Sequence, residues 1–233
     1  MKEPFDYWVI DNFTSVEIAR QLSSEFMDYN YPKWYCYDNA LENKKTCNDW
    51  WEFPPKTYQF FMYLASSEFV QKIKDLTGIK SLYPDIGLHG AGWHIHGTGG
   101  KLNVHLDYSL HPKLNLQRKL NLIFYLTEDW NSEWGGGLEL WTHDTRINRP
   151  KDRRVVIENV FNRAVLFDTT QNSWHGFPEP LTCPEGVYRK SIAFYYLTDP
   201  PSDVEERKRA LYSPYGNQRY NPEILELIER RSA

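Results

Sequence analysis

Between Leu82 and Leu197, apolar and polar residues alternate in short runs bounded by Gly, Pro and Asn, the pattern of β-strands joined by turns. Six stretches carry it: GWHIH (92–96), KLNVHLDYS (101–109), KLNLIFYL (119–126), GGLELWTH (136–143), RAVLFD (163–168) and RKSIAFYYL (189–197). Upstream the period changes to that of a helix. In FTSVEIARQLSSEF, Ile18, Leu22 and Phe26 recur at helical spacing, Thr14 and Glu17 form a capping box, and Phe13 with Ile18 can staple the entry. SEFVQKIKDLTG places Phe69, Ile73 and Leu76 on one side and ends at Gly78. The aromatic, polar, Pro-bounded segment from Tyr31 to Pro55 reads as a long ordered loop. In the tail, Ser202 and Glu205 form a further capping box, and Asn221-Pro222 reads as an N-cap followed by Pro at the first helical position. The pattern therefore predicts one domain, residues 1–233, mainly β with flanking helices: N-terminal helices over 14–78, a β-core over 82–198 and a helical tail over 202–233.

Composition narrows the partners. A chain that is 41% hydrophobic and 25% charged can bury a core. The 16% aromatic share suits a β-rich protein or one that grips a flat or extended ligand. A net charge of −4 makes no case for nucleic acid or an anionic membrane. The N-terminal stretch MKEPFDYWVIDNF lacks a long apolar run, so neither a signal peptide nor a membrane span is expected there. Cys36, Cys47 and Cys183 have no metal-knuckle spacing, and reduced thiols in a cytoplasmic setting are expected over a Cys36–Cys47 disulfide.

The chemistry enters through residues on the wrong face. Residues i and i+2 share one side of a strand, so Asn103, His105 and Asp107 should lie together, opposite Leu102, Val104, Leu106 and Tyr108. A carboxylate on the inner side of a barrel needs a partner. A hydrogen-bonded His–Asp pair in a wet cleft would satisfy it, and so would a metal. Downstream, His175 is hemmed in by Trp174, Gly176 and Pro178. Two imidazoles and one carboxylate form the facial set that holds Fe(II) and leaves other coordination positions open, whereas structural zinc is closed by four ligands. In RKSIAFYYL, Arg189, Ser191, Ala193 and Tyr195 share the inward face, which offers a guanidinium fork, a hydroxyl and space for a small dicarboxylate. Tyr125, on the inward face with Asn121 and Ile123, can donate its hydroxyl to the same carboxylate.

Taken in order, VIDNFTSVEIARQL, NVHLDY, NLIFYLTEDWNSEWGGGLELW, AVLFDTTQNSWHGFPEPL and YRKSIAFYYLTD resemble the prolyl 4-hydroxylase-like branch of the 2-oxoglutarate and Fe(II)-dependent dioxygenases. The resemblance implies a double-stranded β-helix (jelly-roll) core. It further implies iron held by His105, Asp107 and His175, and Arg189 paired with the distal carboxylate of 2-oxoglutarate beside Tyr125, with Ser191 adjoining. The implied reaction couples O2 and decarboxylation of 2-oxoglutarate to hydroxylation, with succinate and CO2 released and ascorbate as reductant. The spacer FPEPLTCPEGVY before Arg189 is longer than in several members, which leaves Lys190 as the alternative clamp; strand parity favours Arg189.

The resemblance points to a prolyl residue of a protein or peptide as substrate, with a free amino acid or other small metabolite as the rival. Trp34, Trp50 and Trp51 are expected to rim an extended chain. His94 and His96 share a face on the strand before His105, placed for aromatic packing, a rim hydrogen bond or the reactants. A cupin-type metal site there would need a following Glu, which GTGGKLNV does not supply. His89, His111 and His143 are expected to be exposed or structural. On GGLELWTH, Leu138 and Leu140 are expected outward, Glu139 and Trp141 inward. A non-catalytic jelly-roll binding module is the second alternative; an inward Arg189 beside an open iron site speaks for the enzyme. Oligomeric state leaves no mark on the sequence.

Overall fold

The computed structural model describes residues 2–232. Its strands are β1 (Tyr7–Ile10), β2 (Tyr35–Asp38), β3 (Glu42–Cys47), β4 (Tyr83–Pro84), β5 (Gly92–His96), β6 (Lys101–Leu106), β7 (Gln117–Tyr125), β8 (Leu138–Asp144), β9 (Arg149–Ile157), β10 (Ala164–Asp168), β11 (Trp174–Phe177), β12 (Arg189–Thr198) and β13 (Leu211–Tyr212). The helices are α1 (Val16–Ser24), α2 (Pro55–Leu64), α3 (Ser67–Thr77) and α4 (Pro222–Ser232). The strands join in the order β1-β10-β7-β12-β5-β3-β6-β11-β8-β9, with β2 on β3, β4 on β12 and β13 on β6. Side chains from β7 and β12 face those from β6, β8 and β11 across one cavity, so the sheet curls into the half-barrel of a jelly-roll core.

The main core lies outside that barrel. Leu120, Leu122 and Phe124 of β7 and Ile192, Phe194 and Tyr196 of β12 meet Leu22 of α1, Phe60 and Phe61 of α2, and Phe69 and Ile73 of α3. Each of these fully buried side chains contributes about 1.5–3 kcal/mol. Because the apolar partners of both strands are consumed on this face, their alternate residues are committed to the cavity. Lys190 belongs to the outer set: its ammonium donates to the Ser23 carbonyl at 2.9 Å, away from the cavity that Arg189 lines.

Several expectations need correction. The first helix is capped by Ser15, whose hydroxyl accepts from the Ile18 amide, and Thr14 instead bonds Asn162. Ile18 is exposed while Phe13 packs on Phe60, Phe69 and Phe124, so no staple forms. Leu76 is likewise exposed, and Val70 fills the α3 face in its place. The expected loop over 31–55 contains the β2–β3 hairpin, because β5 and β6 offer β3 two edges to bond. It is followed directly by α2, with Pro55 at its start and Thr57, Phe60, Phe61 and Leu64 buried at helical spacing. No helix starts at Ser202; that segment crosses Ser109, whose hydroxyl donates to the Glu205 carbonyl at 2.6 Å, before β13 pairs with β6. Asn221 does cap α4, accepting from Glu223 at 3.0 Å.

On β8 the faces are reversed from expectation. Leu138 and Leu140 pack inward with Tyr125 and Phe167. Trp141 joins Val104, Leu106 and Trp174 in an outer cluster, and Glu139 is neutralised by Arg153 at 2.8 Å. The strand carries apolar residues on both sides, and the larger indole finds its partners outside. All three cysteines are free, with only Cys36 exposed. Among the described residues no helix is long and apolar enough to cross a membrane.

Candidate metal centre and cosubstrate cavity

β6 and β11 run antiparallel with His105 directly opposite His175. Asp107 sits on the first residue past the end of β6 rather than within it. One ligand atom from each of His105, Asp107 and His175 lies within 4.8 Å of the others, and all three side chains are buried. The backbone fixes both rings: His105 Nδ1 bonds the Asn103 carbonyl at 2.9 Å and His175 Nδ1 bonds the Ser173 carbonyl at 2.8 Å. A carbonyl accepts, so each Nδ1 carries the proton and each Nε2 keeps its lone pair. This is how metal-binding imidazoles are commonly oriented. Burial, then the neighbouring His105, push the His175 pKa down to about 4, so its lone pair is available at neutral pH.

Asp107 is the anionic member. Burial works to raise its pKa, but the neighbouring Arg118 guanidinium outweighs it and holds the carboxyl well below the usual range. Arg118 Nη1 stands 3.5 Å from Oδ1, and Asn121 Nδ2 stands 3.4 Å from Oδ2. The guanidinium is clamped between the Tyr108 and Tyr195 rings, 3.4 Å from each centroid, and donates to the His89 carbonyl at 2.6 Å. Tyr212 stacks on His105 with centroids 5.3 Å apart, and the Arg207 side chain donates to the Asp107 carbonyl at 2.7 Å. Sequence parity missed Arg118, because a register shift between Tyr196 and Leu197 turns it to the same side as Asn121. The opposite happens to Asn103: a shift between His175 and Phe177 sends its side chain out to the Ser213 carbonyl, and Leu102 takes its place on the cavity wall.

His105, Asp107 and His175 open into a cavity of about 440 Å³ that Arg189 and Ser191 also line. Arg189 is buried, its Nε donating to the Gly136 carbonyl at 2.9 Å and its guanidinium 4.6 Å from the Phe177 ring centroid. Tyr125, fully buried, lies beside it at 5.0 Å from ring centroid to guanidinium carbon. Its hydroxyl has no hydrogen-bond partner among the described residues. Buried hydroxyls are rarely left so. An anion between Arg189 and Tyr125 would satisfy both. Ser191 is paired in register with Tyr125 on one side and His94 on the other. His94 and His96 line the same cavity, and both ring nitrogens of buried His96 lack partners. Burial, then Lys44 and Arg189, lower the His94 pKa to about 3; burial, Arg189 and Lys44 take His96 well below the ordinary value, so both are neutral. His111 is buried against Asp85 at 3.6 Å, a structural pair.

The donor set and the basic pocket beside it fit Fe(II) and a small dicarboxylate. Comparison with known proteins agrees. Residues 91–197 match the model of the 2OG-Fe(II) oxygenase superfamily. No curated protein matches the chain in sequence. In fold, the chain is similar to a prolyl 4-hydroxylase from Pseudomonas putida, at 15% identity over 85% of this chain and 95% of that one, with a TM-score of 0.58. It is also similar to a Trichoplax adhaerens prolyl hydroxylase in complex with a hypoxia inducible factor oxygen degradation domain peptide fragment, at 16% identity over 84% of each chain, with a TM-score of 0.59. HygX from Streptomyces hygroscopicus, with nickel and 2-oxoglutarate bound, matches at 12% identity over 92% of this chain and 90% of that one, with a TM-score of 0.53. Residues 91–197 thus carry a domain similar to those of the Fe(II)/2-oxoglutarate-dependent oxygenases, in an architecture similar to that of prolyl 4-hydroxylases.

Proposed function

We propose that His105, Asp107 and His175 hold the iron, that Arg189 and Tyr125, with Ser191 adjoining, receive the distal carboxylate of 2-oxoglutarate, and that the enzyme hydroxylates a prolyl residue of a protein or peptide. The observation that carries the site is the shared cavity. Two Nε2 lone pairs and a carboxylate converge in it, and a buried cation beside an unpartnered hydroxyl lines its wall. When bound, iron and 2-oxoglutarate supply O2 activation coupled to release of succinate and CO2.

The chain's own residues bind, orient and exclude water. The Asn103 and Ser173 carbonyls fix the tautomers of the two imidazoles. Arg118 and Asn121 steady the two oxygens of Asp107. Burial of all three ligands keeps bulk water from the reacting centre. The prolyl reading is supported by the similarity in fold to prolyl hydroxylases, one of them with a peptide bound. A second reading, hydroxylation of a small molecule, is favoured by the charged residues Lys44 and Arg231 that line the cavity besides the metal and cosubstrate residues.

The test is succinate formation from 2-oxoglutarate by purified protein with Fe(II), O2 and ascorbate as the proposed reductant, with and without a pool of proline-containing peptides. The His105→Ala protein is run beside it. Peptide-stimulated succinate from the wild type alone is expected. Equal activity from His105→Ala would overturn the assigned iron site. Stimulation by small metabolites and not by peptides would select the second reading.

A further inference from the structure

The cavity holds more positive charge than iron and 2-oxoglutarate can neutralise. Six charged side chains line it: Glu42, Lys44, Asp107, Arg118, Arg189 and Arg231. Four cations thus face two carboxylates, and His94 and His96 add nothing because they are neutral. Fe(II) carries two positive charges and 2-oxoglutarate two negative ones, so loading the site leaves the excess intact. In a buried cavity an uncompensated charge is costly, and the remaining component of the reaction is the group available to offset it.

The geometry locates the excess. Arg118 has Asp107 beside it, and Arg189 stands by Tyr125 at the proposed cosubstrate seat. Lys44 and Arg231 share a single carboxylate: Lys44 Nζ lies 3.1 Å from Glu42 Oε2, and Arg231 bonds Glu42 Oε1. Glu42 is 1% exposed and the Lys44 side chain 13%, so water does little to screen that pair, while the Arg231 side chain is 31% exposed. Thr46 pairs with His94 in the β3–β5 register, and Lys44, two residues along, lies on the same cavity face. Tyr37 covers both cations, its ring centroid 4.9 Å from Lys44 Nζ and 5.8 Å from the Arg231 guanidinium carbon. One carboxylate between two cations leaves a local charge of one, which suits a second carboxylate better than a phosphate dianion.

We propose that the substrate carries a carboxylate and that this group seats on Lys44 and Arg231, opposite Glu42. The proposal rests on the iron and 2-oxoglutarate reading of the cavity and narrows its substrate. The carboxylate has two sources, the α-carboxylate of a free or C-terminal residue and an acidic side chain within a peptide.

Calorimetric titration of the anaerobic protein with Fe(II) and 2-oxoglutarate separates them. The probes are two pairs, N-acetyl-L-proline against N-acetyl-L-prolinamide, and a blocked peptide with glutamate beside proline against its glutamine counterpart. In at least one pair the carboxylate should bind about 10- to 100-fold tighter, the range for a charge-assisted contact. That pair identifies the source. Lys44→Gln and Arg231→Gln should each remove most of the preference, and Lys44→Arg should keep it. Equal binding within both pairs, including none by any probe, overturns the proposal, as does a preference that survives in both glutamine variants. The visible absorption band formed by Fe(II) with 2-oxoglutarate is recorded first; its absence would count against the oxygenase site itself, independently of the pairwise heats.

Discussion

Two neighbouring glycines separate backbone strain from disturbance of the cosubstrate seat. Gly135 and Gly136 both have positive φ, +78° and +79°, so alanine at either is strained by about 1–3 kcal/mol. For a chain of this size, each kcal/mol lowers Tm by about 2–4 °C. Their surroundings differ. A Cβ on Gly135 meets nothing within 4 Å, whereas one on Gly136 falls 2.9 Å from Arg189 Cδ, 3.1 Å from its Nε and 2.8 Å from Leu181 Cδ2. The Gly136 carbonyl also accepts the Arg189 Nε hydrogen at 2.9 Å, so the glycine both positions the guanidinium and leaves it room. Gly136→Ala must displace Arg189. Loss of one charge-assisted hydrogen bond to the 2-oxoglutarate carboxylate, about 1.5–3 kcal/mol, raises its KM about 10- to 150-fold. Gly135→Ala should lose comparable stability and keep the wild-type KM. The assay is succinate formation against 2-oxoglutarate concentration for both variants, with thermal unfolding alongside. Equal KM values in the two variants would refute the assignment of Arg189 as the clamp, because strain is common to both and displacement is not.

Arg118→Gln removes the cation that steadies Asp107, and metal affinity should fall about 10- to 100-fold, as outer-shell substitutions commonly cause; Mn(II) binding followed by electron paramagnetic resonance measures it. Tyr125→Phe deletes an unpartnered buried hydroxyl. It should therefore leave the metal-free protein no less stable in urea while raising the KM for 2-oxoglutarate; a loss of stability would mean the hydroxyl serves the fold. His94 supplies a pH dependence. Its folded pKa of about 3 lies below the unfolded value of 6.5, so the unfolded state binds more protons between those values and stability falls as pH drops from 6.5 towards 3. From pH 7 to pH 5 this one group should cost the metal-free protein about 2 kcal/mol, a loss that His94→Gln should remove from paired urea titrations.

The convergence of the three proposed iron ligands was legible because residues suited to a metal violate the packing rule that the rest of the strand obeys. His105 and Asp107 occupy alternate positions where a buried strand would carry apolar residues, and no local feature offsets them, so the pattern itself demands a partner. Arg189 was legible for the same reason, through the apolar commitments of Ile192, Phe194 and Tyr196 on the other side. The misses have a common cause. Alternation assigns residues to two faces but does not say which face is inside, and β8, apolar on both, was read in reverse. Nor does alternation survive a register shift, which is how Arg118 entered the cavity and Asn103 left it.

The β2–β3 hairpin was opaque for a different reason. Glu-Asn-Lys-Lys-Thr-Cys has no apolar alternation, since β3 is held by the edges that β5 and β6 present to it rather than by a face of its own. Polar residues there look like a solvated loop until the strand is seen with its side chains turned into the cavity. A segment whose backbone is secured by its neighbours is free to vary its side chains with little cost to the core. The proposed iron ligands and the outer faces of β7 and β12 lack that freedom, being bound to donor geometry and to packing respectively. On the reading proposed above, therefore, discrimination among substrates falls to the hairpin and to α4, where Glu42, Lys44 and Arg231 meet, while the choice of reaction is set by His105, Asp107 and His175.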